Sequence, residues 1–315
     1  MTTQDAGTVL ISGPTGGLGR AAVLAMASRP AAGRPDLLLV GRAGERLTQV
    51  TGAARAAGAT VQAIGCDMAR LADVRAAAEQ VKELLAAGTV RPLHGLVANA
   101  GVSGLDTRGT SADGYELTFA VNYLAHAQLT GDLLGSFTAP ARIVLIGSNT
   151  YHQNRVRKIL HVPPAHWRDP VELAKPAPAN SQPSLRAAGV AYSDSKLAFL
   201  YYAHELQRRA PAGVSVVMYE PGFMPGTGLS RQHGPAAQAV GRALERLPRI
   251  ASPATSGPQL ASVVLDPRWA HLRNGAFVVR DSERDVKPFA HDSAREARLW
   301  DATAELLQTA AKAGS

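Results

Sequence analysis

Short β-branched or leucine-rich runs alternate with longer alanine-rich stretches along this chain, and this alternation limits its possible folds more than any other feature. The apolar runs predict strands at residues 8–12, 36–41, 60–65, 93–98, 142–148, 214–219 and 275–279. The stretches at 18–29, 44–57, 71–87, 112–134 and 191–209 carry apolar residues three and four apart, which is typical of amphipathic helices. Strands and helices in strict succession predict an α/β fold, in which about seven strands form a doubly wound parallel sheet with helices on both faces.

The composition is that of a globular protein with a large core. The chain has 315 residues, of which 46% are hydrophobic and 18% charged, so disorder and fibrous repeats are excluded. We predict a single domain over residues 1–315, because open α/β sheets of this length often form one unit. No apolar run approaches the ~18 residues that would span a bilayer, and the N-terminus lacks a secretory signal, so we expect a cytoplasmic protein without a membrane partner.

Charge and cysteine content narrow the set of partners. Lys and Arg total 33 against 25 Asp and Glu, a net charge of +8, which favours anionic small molecules. No basic helix, zinc module or aromatic-basic motif accompanies this charge, so we expect no nucleic-acid partner. The single cysteine, Cys66, permits neither an internal disulfide nor a cysteine-rich metal site, and we predict no metal.

Two segments interrupt the alternation. Residues 149–188 are polar and basic, and their six prolines prevent a long regular helix or an interior strand. Residues 220–252 contain the run Pro-Gly-Phe-Met-Pro-Gly-Thr-Gly and turn helical near 236–247. Both segments follow a strand and therefore emerge at the carboxyl edge of the sheet, where open α/β proteins bind ligands. We interpret them as a long lid insertion and a second substrate lid, with surface insertions of no role as the alternative. Residues 290–315 are predicted to form a C-terminal helix and tail.

The turn after the first predicted strand is dense in glycine. Such a turn lets the backbone approach a pyrophosphate, and the N-terminus of the following helix supplies unpaired N–H groups. The turn lacks the Gly-Lys-Ser/Thr ending of a P-loop, which favours a dinucleotide site and a Rossmann-type sheet. The predicted cofactor contacts in this turn are Ser12, Gly13, Thr15, Gly16, Gly17, Leu18 and Gly19.

The end of the second predicted strand distinguishes NAD from NADP. An acidic residue there would bond the ribose hydroxyls of NAD, but the sequence is Leu39-Val40-Gly41-Arg42. Arg42 can supply a fork of donors to a 2′-phosphate, so NADP(H) is the predicted cofactor; the alternative is that Arg42 only solvates a helix start. Asp67 and Met68 after the third strand, and Asn99-Ala100-Gly101 after the fourth, are placed to flank the cofactor.

Tyr192 and Lys196 are four residues apart on a predicted helix and therefore share one face. A nearby ammonium favours the phenolate, so we expect Lys196 to lower the pKa of Tyr192 into a range useful for proton transfer at a carbinol oxygen. Ser148 ends the fifth predicted strand and can hydrogen-bond the same oxygen. A lone Tyr-x-x-x-Lys pair is commonplace, and its alternative interpretation is structural.

Together these motifs resemble the short-chain dehydrogenase/reductase family. They follow the family order over nearly the whole chain and comprise Ser12-Gly13-x-x-x-Gly17-x-Gly19, Asn99-Ala100-Gly101, Val121-Asn122, Ser148, Tyr192-x-x-x-Lys196 and Pro221-Gly222. The resemblance implies that Tyr192 is the general acid/base, that Ser148 polarises the substrate oxygen and that Lys196 holds the nicotinamide ribose. It also implies that Asn122 positions a water of a proton relay. Further cofactor contacts implied in this way are Pro221, Gly222 and Phe223.

Within that family the sequence is most similar to the protochlorophyllide reductase and retinol dehydrogenase branch. The similarity rests on residues 146–150, 191–196 and 221–229 and on Val162-Pro163-Pro164 in the insertion. Ser148 and Tyr192 are unusually far apart in the chain, which suggests a bulky substrate under a long lid. Protochlorophyllide enzymes carry cysteine after Pro-Gly where this chain has Phe223, so light-driven reduction is not expected.

The sequence thus predicts an NADP(H)-dependent oxidoreductase that interconverts a ketone or aldehyde and an alcohol on a bulky, largely hydrophobic substrate. The predicted substrate contacts near the lids are Tyr151, Phe223 and Met224. The alternatives are a C=C reductase of the protochlorophyllide type and a catalytically silent NADP-binding regulator, and the sequence does not separate C=O from C=C reduction. Monomer and homodimer both stay open, because a C-terminal helix can cap the sheet edge.

Overall fold

One mostly parallel sheet forms the centre of the chain. The computed structural model describes residues 6–153, 157–158, 161–224 and 250–313. The strands within them are β1 (Thr8–Ser12), β2 (Asp36–Gly41), β3 (Val61–Gly65), β4 (Leu93–Ala98), β5 (Phe137–Ile146), β6 (Val214–Glu220), β7 (Ala276–Val279) and β8 (Ser282–Arg284). Their order is β3-β2-β1-β4-β5-β6-β7-β8, and every neighbouring pair is parallel except β7 and β8. The predicted doubly wound parallel sheet is confirmed, with one short antiparallel strand beyond the expected number.

Helices cover both faces of this sheet. They are α1 (Gly17–Ala27), α2 (Glu45–Ala56), α3 (Leu71–Ala86), α4 (Leu117–Phe119), α5 (Ala125–Leu133), α6 (Pro170–Leu173), α7 (Leu185–Arg209), α8 (Pro253–Leu265) and α9 (Ser293–Ala313). Apolar residues of α1, α2 and α8 pack in one core cluster, and those of α3, α5, α7 and α9 pack in the other. Each cluster includes strand residues, so both faces of the sheet are buried, as parallel sheets require.

The strand order reverses at β1, which lies between β2 and β4. All residues of β1 and β2 are buried, which explains why their sequences read as continuous apolar runs rather than alternating ones. In open α/β sheets, ligands bind outside the carboxyl ends of the strands at such a reversal. The turns that follow β1 and β4 meet at this point.

Capping side chains shift two helix starts from their predicted positions. The predicted helix over 191–209 begins at Leu185, because the Ser184 hydroxyl accepts a hydrogen bond from the Ala187 N–H at 3.1 Å. The predicted helix over 112–134 begins only at Leu117, after the Glu116 carboxylate accepts from the Phe119 N–H at 2.6 Å. A π-helical segment, Ala120–Leu124, then joins α4 to α5.

Strand boundaries and one helix also differ from the prediction. The strand predicted over 142–148 spans Phe137–Ile146, so Gly147 and Ser148 lie beyond its end. The apolar pattern does not predict α8, although a capping box marks its start: the Ser252 hydroxyl accepts from the Thr255 N–H, and the Thr255 hydroxyl accepts from the Ser252 N–H.

The C-terminal helix α9 packs against α7 and the π-helical segment rather than extending from the sheet. The Trp300 ring stacks on the Tyr202 ring at 5.5 Å between centroids. A hydrogen bond joins the Tyr123 and Thr303 hydroxyls, and the Tyr115 hydroxyl donates to the Leu306 carbonyl at 2.7 Å. The helix predicted at 290–315 is therefore present as Ser293–Ala313.

The described part of the 149–188 insertion is packed on the helices beside it. The Arg298 Nε lies 2.9 Å from the Asp169 carboxylate and ties α9 to the start of α6. Trp167 contacts the Tyr201 ring edge-on at 5.6 Å, and Arg157, which is buried, donates to Ser193 and to the Pro163 carbonyl. The lid role of this insertion stays a prediction.

Most of the second predicted lid lies outside the described residues, including the helix predicted at 236–247. None of the helices in the part of the chain that the structure describes is long and apolar enough to cross a membrane.

Close packing of α1 on α8 generates the first prediction. A Cβ at Gly257 would lie 2.5 Å from the Ala21 Cβ and 2.7 Å from the Ala21 carbonyl carbon, so Gly257→Ala forces the two helices apart. We expect a loss of about 1–3 kcal/mol in the free energy of unfolding, measured by urea denaturation. The control is Gly52→Ala in α2, where a Cβ meets nothing within 4 Å; it should stabilise by about 0.5–1 kcal/mol. Equal shifts of the same sign would contradict this packing.

Candidate active site

The turns after β1 and β4 are joined by the hydroxyl group of Ser12. Ser12 is fully buried, and its Oγ accepts hydrogen bonds from the backbone N–H groups of Asn99 at 2.9 Å and Ala100 at 3.0 Å. The Asn99 amide returns the contact by donating to the Ser12 and Gly13 carbonyls, both at 2.9 Å. Ser12, predicted as a cofactor contact, therefore sits beneath the turn and holds it in place.

Two glycines of the turn are required by close approach. A Cβ at Gly19 would lie 2.2 Å from the Gly13 carbonyl oxygen and 2.6 Å from the Asn99 amide nitrogen. Gly13 has a φ of +63°, and a Cβ there would lie 2.8 Å from the Ala100 Cα. The glycine pattern thus reflects a turn packed directly on the β4 turn.

Sequence reasoning missed His126, which completes this junction. Its ring is fully buried in α5, with Nε2 2.9 Å from the Ser12 Oγ and Nδ1 3.3 Å from the Asn122 carbonyl. The carbonyl can only accept, so Nδ1 carries the proton and Nε2 accepts from Ser12. Burial, and then the charge of Lys196, lower the pKa of His126 to about 3, which keeps the ring neutral. The only sequence signal was its spacing, four residues after Asn122.

The start of α1 has the features of an anion-binding end. Gly16 precedes the helix without a side-chain cap, and the first turn contains no acidic residue. Unpaired N–H groups and the positive end of the helix dipole therefore face the edge of the sheet at its reversal. Residues 13–18 lead directly into this helix start, and their contact with a dinucleotide pyrophosphate stays a prediction.

The residues predicted to select and flank the cofactor lie on the same side of the sheet. Arg42 follows β2 and is exposed, so its guanidinium is available to a phosphate. Asp67, also exposed, accepts from the Ala69 N–H at 3.0 Å, while Met68 is buried. Cys66 is buried as well, and burial raises the pKa of its thiol to about 12, so it is an unreactive core residue.

Asn122 is fully buried in the π-helical segment and organises the loop after β4. Its Oδ1 accepts from the Val102 N–H at 2.7 Å, and its Nδ2 donates to the Val102 carbonyl at 3.0 Å. Nδ2 also lies 3.3 Å from the Ser195 Oγ in α7. The side chain thus links the β4 loop to the helix that carries Tyr192.

Ser148 and Tyr192 come together between the end of β5 and the first turns of α7. The Ser148 Oγ accepts from the Thr150 N–H at 3.3 Å and from the Thr150 hydroxyl at 3.0 Å. Its own proton is therefore available to the Tyr192 oxygen, and this hydrogen bond lowers the pKa of Tyr192. Burial acts more strongly in the opposite direction and raises that pKa to about 12.

The predicted effect of Lys196 on Tyr192 is not what the structure shows. Lys196 is buried, its Nζ donates to the Ile146 carbonyl at 2.7 Å, and it lies 5.7 Å from the centre of the Tyr192 ring. Burial lowers the pKa of Lys196 to about 8. The pKa of Tyr192 is raised rather than lowered, because loss of solvation and the charge of Glu220 outweigh the Ser148 hydrogen bond. Tyr192 is therefore protonated at neutral pH.

Glu220 is a second residue that the sequence did not indicate. It ends β6 directly before Pro221-Gly222 and is buried. Its Oε2 accepts from the Asn149 Nδ2 at 3.0 Å. Burial raises the pKa of this carboxyl to about 7, against the lowering effects of the Gly222 and Asn149 N–H groups and of Arg280.

The predicted substrate and cofactor residues near the lids separate in the structure. Tyr151 is buried, its hydroxyl accepts from the Lys287 N–H at 3.1 Å, and its ring packs edge-on against Phe277, so it belongs to the core. Phe223 is 55% exposed after the Pro221-Gly222 turn, and Met224 packs against the second core cluster. Of these three residues, Phe223 is the one that presents an open apolar surface.

These features define a Rossmann-type α/β protein. Comparisons with known proteins identify the family within that class. The sequence profile of the family described as "short chain dehydrogenase" matches residues 7–159. A Streptomyces sp. (strain C5) protein with the provisional name daunorubicin C-13 ketoreductase DnrU is 33% identical over 97% of this chain and 94% of its own. The chloroplastic protochlorophyllide reductase of Chlamydomonas reinhardtii is 28% identical over 97% of this chain and 79% of its own.

A solved structure agrees in fold. The short-chain dehydrogenase from Burkholderia cenocepacia J2315, crystallised in complex with NADP, superposes with a TM-score of 0.62 at 22% identity, over 88% of this chain and 97% of that one. The chain belongs to the short-chain dehydrogenase/reductase family of oxidoreductases. The expected similarity to the protochlorophyllide reductase branch is confirmed as well.

Burial of Lys196 predicts a pH-dependent stability. The pKa of this ammonium is about 8 in the folded chain against an ordinary value of 10.5, so the parent protein gains stability as pH rises through that interval. Methionine does not titrate. The free energy of unfolding of Lys196→Met, relative to the parent, should therefore fall by about 3 kcal/mol between pH 7 and pH 11, measured by urea denaturation.

The control is Lys82→Met on α3, where Glu79 raises the pKa of the exposed ammonium. Its difference from the parent should change with pH in the opposite sense. A pH-independent difference at position 196 would contradict a buried ammonium there.

Proposed function

We propose that the chain is an NADP(H)-dependent ketoreductase that interconverts a ketone or aldehyde and an alcohol, with Tyr192 as the general acid/base. The observation that carries the proposal is the placement of buried Lys196 beside Tyr192 on α7, with its Nζ 5.7 Å from the Tyr192 ring centre and 2.7 Å from the Ile146 carbonyl at the end of β5, two residues before Ser148. This end of β5 lies at the edge of the sheet at which the glycine turn and the start of α1 fit a dinucleotide.

In reduction, the Tyr192 hydroxyl donates its proton to the carbonyl oxygen while Ser148 holds that oxygen by a hydrogen bond. When bound, NADP(H) supplies the hydride that adds to the carbonyl carbon. The raised pKa of Tyr192, about 12, keeps the proton in place until the oxygen becomes basic. Oxidation of an alcohol is the reverse, and it requires the Tyr192 phenolate as base.

Lys196 and Asn122 supply support for this step. In the proposal, Lys196 holds the nicotinamide ribose, and its lowered pKa allows it to pass a proton toward Tyr192 near neutral pH. Asn122 contributes by holding two segments in place. Its side chain bonds Val102 in the loop after β4 and Ser195 in α7, the helix that carries Tyr192. Because the Asn122 side chain is engaged in these bonds, the water of the proposed relay would be held by the backbone of Asn122.

The cofactor assignment rests on residues at the ends of β2 and β3. The proposed contacts are Arg42 to the 2′-phosphate, Asp67 and Met68 around the adenine, and residues 99–101 and 221–223 along the rest of the cofactor. The exposed guanidinium of Arg42 supports NADP(H) over NAD. Likeness to a structure crystallised with NADP is consistent with this choice.

The substrate class follows from the exposed apolar surface and from the relatives. Phe223, 55% exposed beside the site, supports a bulky hydrophobic substrate, with Met224 beside it. One relative is named for reduction of a ketone of daunorubicin. Relatives named as protochlorophyllide reductases keep C=C reduction as the second candidate, and identification of the product from enones distinguishes the two.

Tyr192→Phe tests the proton donor. The change removes the hydroxyl proton but leaves the pyrophosphate contacts, so turnover of bulky ketones with NADPH should fall by a factor of about 10³ or more. Binding of NADPH, measured by fluorescence titration, should be nearly unchanged. Turnover at the parent rate would rule out Tyr192 as the acid.

Arg42→Asp tests cofactor selectivity. Loss of the guanidinium and addition of a carboxylate should weaken NADPH binding at least tenfold and improve NADH relative to NADPH, measured as dissociation constants. Arg284→Asp in β8, also exposed, makes the same charge change at the far edge of the sheet and should leave the ratio of the two constants unchanged. An unaltered ratio in Arg42→Asp would refute its role.

A further inference from the structure

A buried carboxylate connects the two turns that flank the Ser148 and Tyr192 pair. Glu220 is 6% exposed, and its Oε2 lies 3.0 Å from the Asn149 Nδ2, next to Ser148 in the chain. The backbone N–H groups of Asn149 and Gly222 also donate to this carboxylate. One side chain therefore holds both the turn after β5 and the turn after β6.

The backbone around Glu220 reinforces this connection from β7. The Arg280 N–H donates to the Glu220 carbonyl at 2.9 Å, and Arg280 has a φ of +59°. A Cβ on Gly222, whose φ is +92°, would lie 2.9 Å from the Arg280 Nε and 2.7 Å from the Ala251 Cβ. The Gly222 turn is thus confined between the end of β7 and the residues before α8.

The charged and titratable groups that act on Glu220 come from three elements. Arg280, beyond β7, attracts the carboxylate and lowers the pKa of Glu220. The carboxylate in turn raises the pKa of Tyr192 from α7 and of Tyr219 in β6. Burial dominates the balance at Glu220 and raises its pKa to about 7, so this carboxyl changes charge in the neutral range.

We propose that Glu220 is a positioning residue of the active site: its carboxylate couples the Ser148-Asn149 turn to the Pro221-Gly222 turn, and its charge acts on the Tyr192 hydroxyl. This inference rests on the proposed role of Tyr192. In its ionised form, Glu220 makes phenolate formation at Tyr192 harder and so keeps the proton on the donor for reduction. When protonated, it weakens its bonds to the Asn149 and Gly222 donors and relieves this effect.

Three variants separate charge from reach. Glu220→Gln keeps an acceptor of similar size but removes the charge, whereas Glu220→Asp keeps the charge and shortens the reach to Asn149. Glu79→Gln, on the surface of α3, serves as the control. The first readout is the ionisation of Tyr192 in the cofactor-free chain, followed by NMR of ¹³C-labelled tyrosine and assigned with Tyr192→Phe. The second is the pH profile of alcohol oxidation by the holoenzyme.

In Glu220→Gln, the pKa of Tyr192 should fall, so that the phenolate fraction at a given pH rises about twofold or more. The alkaline limb of alcohol oxidation should move to lower pH by a similar amount. Glu220→Asp should keep the pKa of Tyr192 near that of the parent while raising the KM for the nicotinamide cofactor. Glu79→Gln should match the parent in both readouts.

An unchanged Tyr192 ionisation and pH profile in folded Glu220→Gln would overturn the inference, even if kcat falls, because a purely structural role lowers rates at every pH alike. If Glu220→Gln does not fold, a KM for the nicotinamide cofactor in Glu220→Asp equal to that of the parent would overturn it, since the shortened side chain no longer reaches Asn149. Full turnover by Tyr192→Phe would instead contradict the proposed function, in which Tyr192 is the acid. The NMR readout of Tyr192 ionisation does not depend on turnover, so it tests the Glu220 inference separately.

Discussion

The hydroxyl of Ser12 is the contact on which the arrangement of the cofactor edge depends. It accepts two backbone N–H groups from the β4 turn and donates to the neutral ring of His126, so its full hydrogen-bonding capacity is used inside the core. Because Ser12 is fully buried, loss of any of these bonds would leave a polar group without solvent. The glycine turn, the β4 turn and α5 are therefore held as one unit.

Around that unit, the candidate site contains several buried titratable side chains. Burying their charged forms lowers the free energy of unfolding. Burial lowers the pKa of Lys196 and His126 and raises that of Tyr192 and Glu220. Each shift means that the charged form is less stable inside the protein than in water. Such a cluster of shifted pKa values is typical of functional sites, and it agrees with the proton transfer proposed for Tyr192.

The sequence was sufficient to predict the fold and the glycine turn where a residue's role follows from backbone geometry. β1 and β2 read directly as apolar runs because both of their faces are buried, and Gly19 is required by its approach to Gly13. His126 and Glu220 could not be found in this way, because a single polar residue inside an apolar element leaves no periodic signal. The start of α7 was misplaced for a different reason: Ser184 caps the helix, and the apolar period does not extend to it.

The position of α9 bears on how the chain is made. The hydrogen bond between Tyr123 and Thr303 joins residues 180 positions apart, and the one between Tyr115 and Leu306 joins residues 191 apart. During vectorial synthesis, the π-helical segment and α7 leave the ribosome before α9, so the aromatic face that includes Tyr123 and Tyr202 lacks α9 as its cover in that interval. A nascent chain with such a face is prone to aggregation. Completion of α9 therefore removes an aggregation-prone surface from the newly made chain.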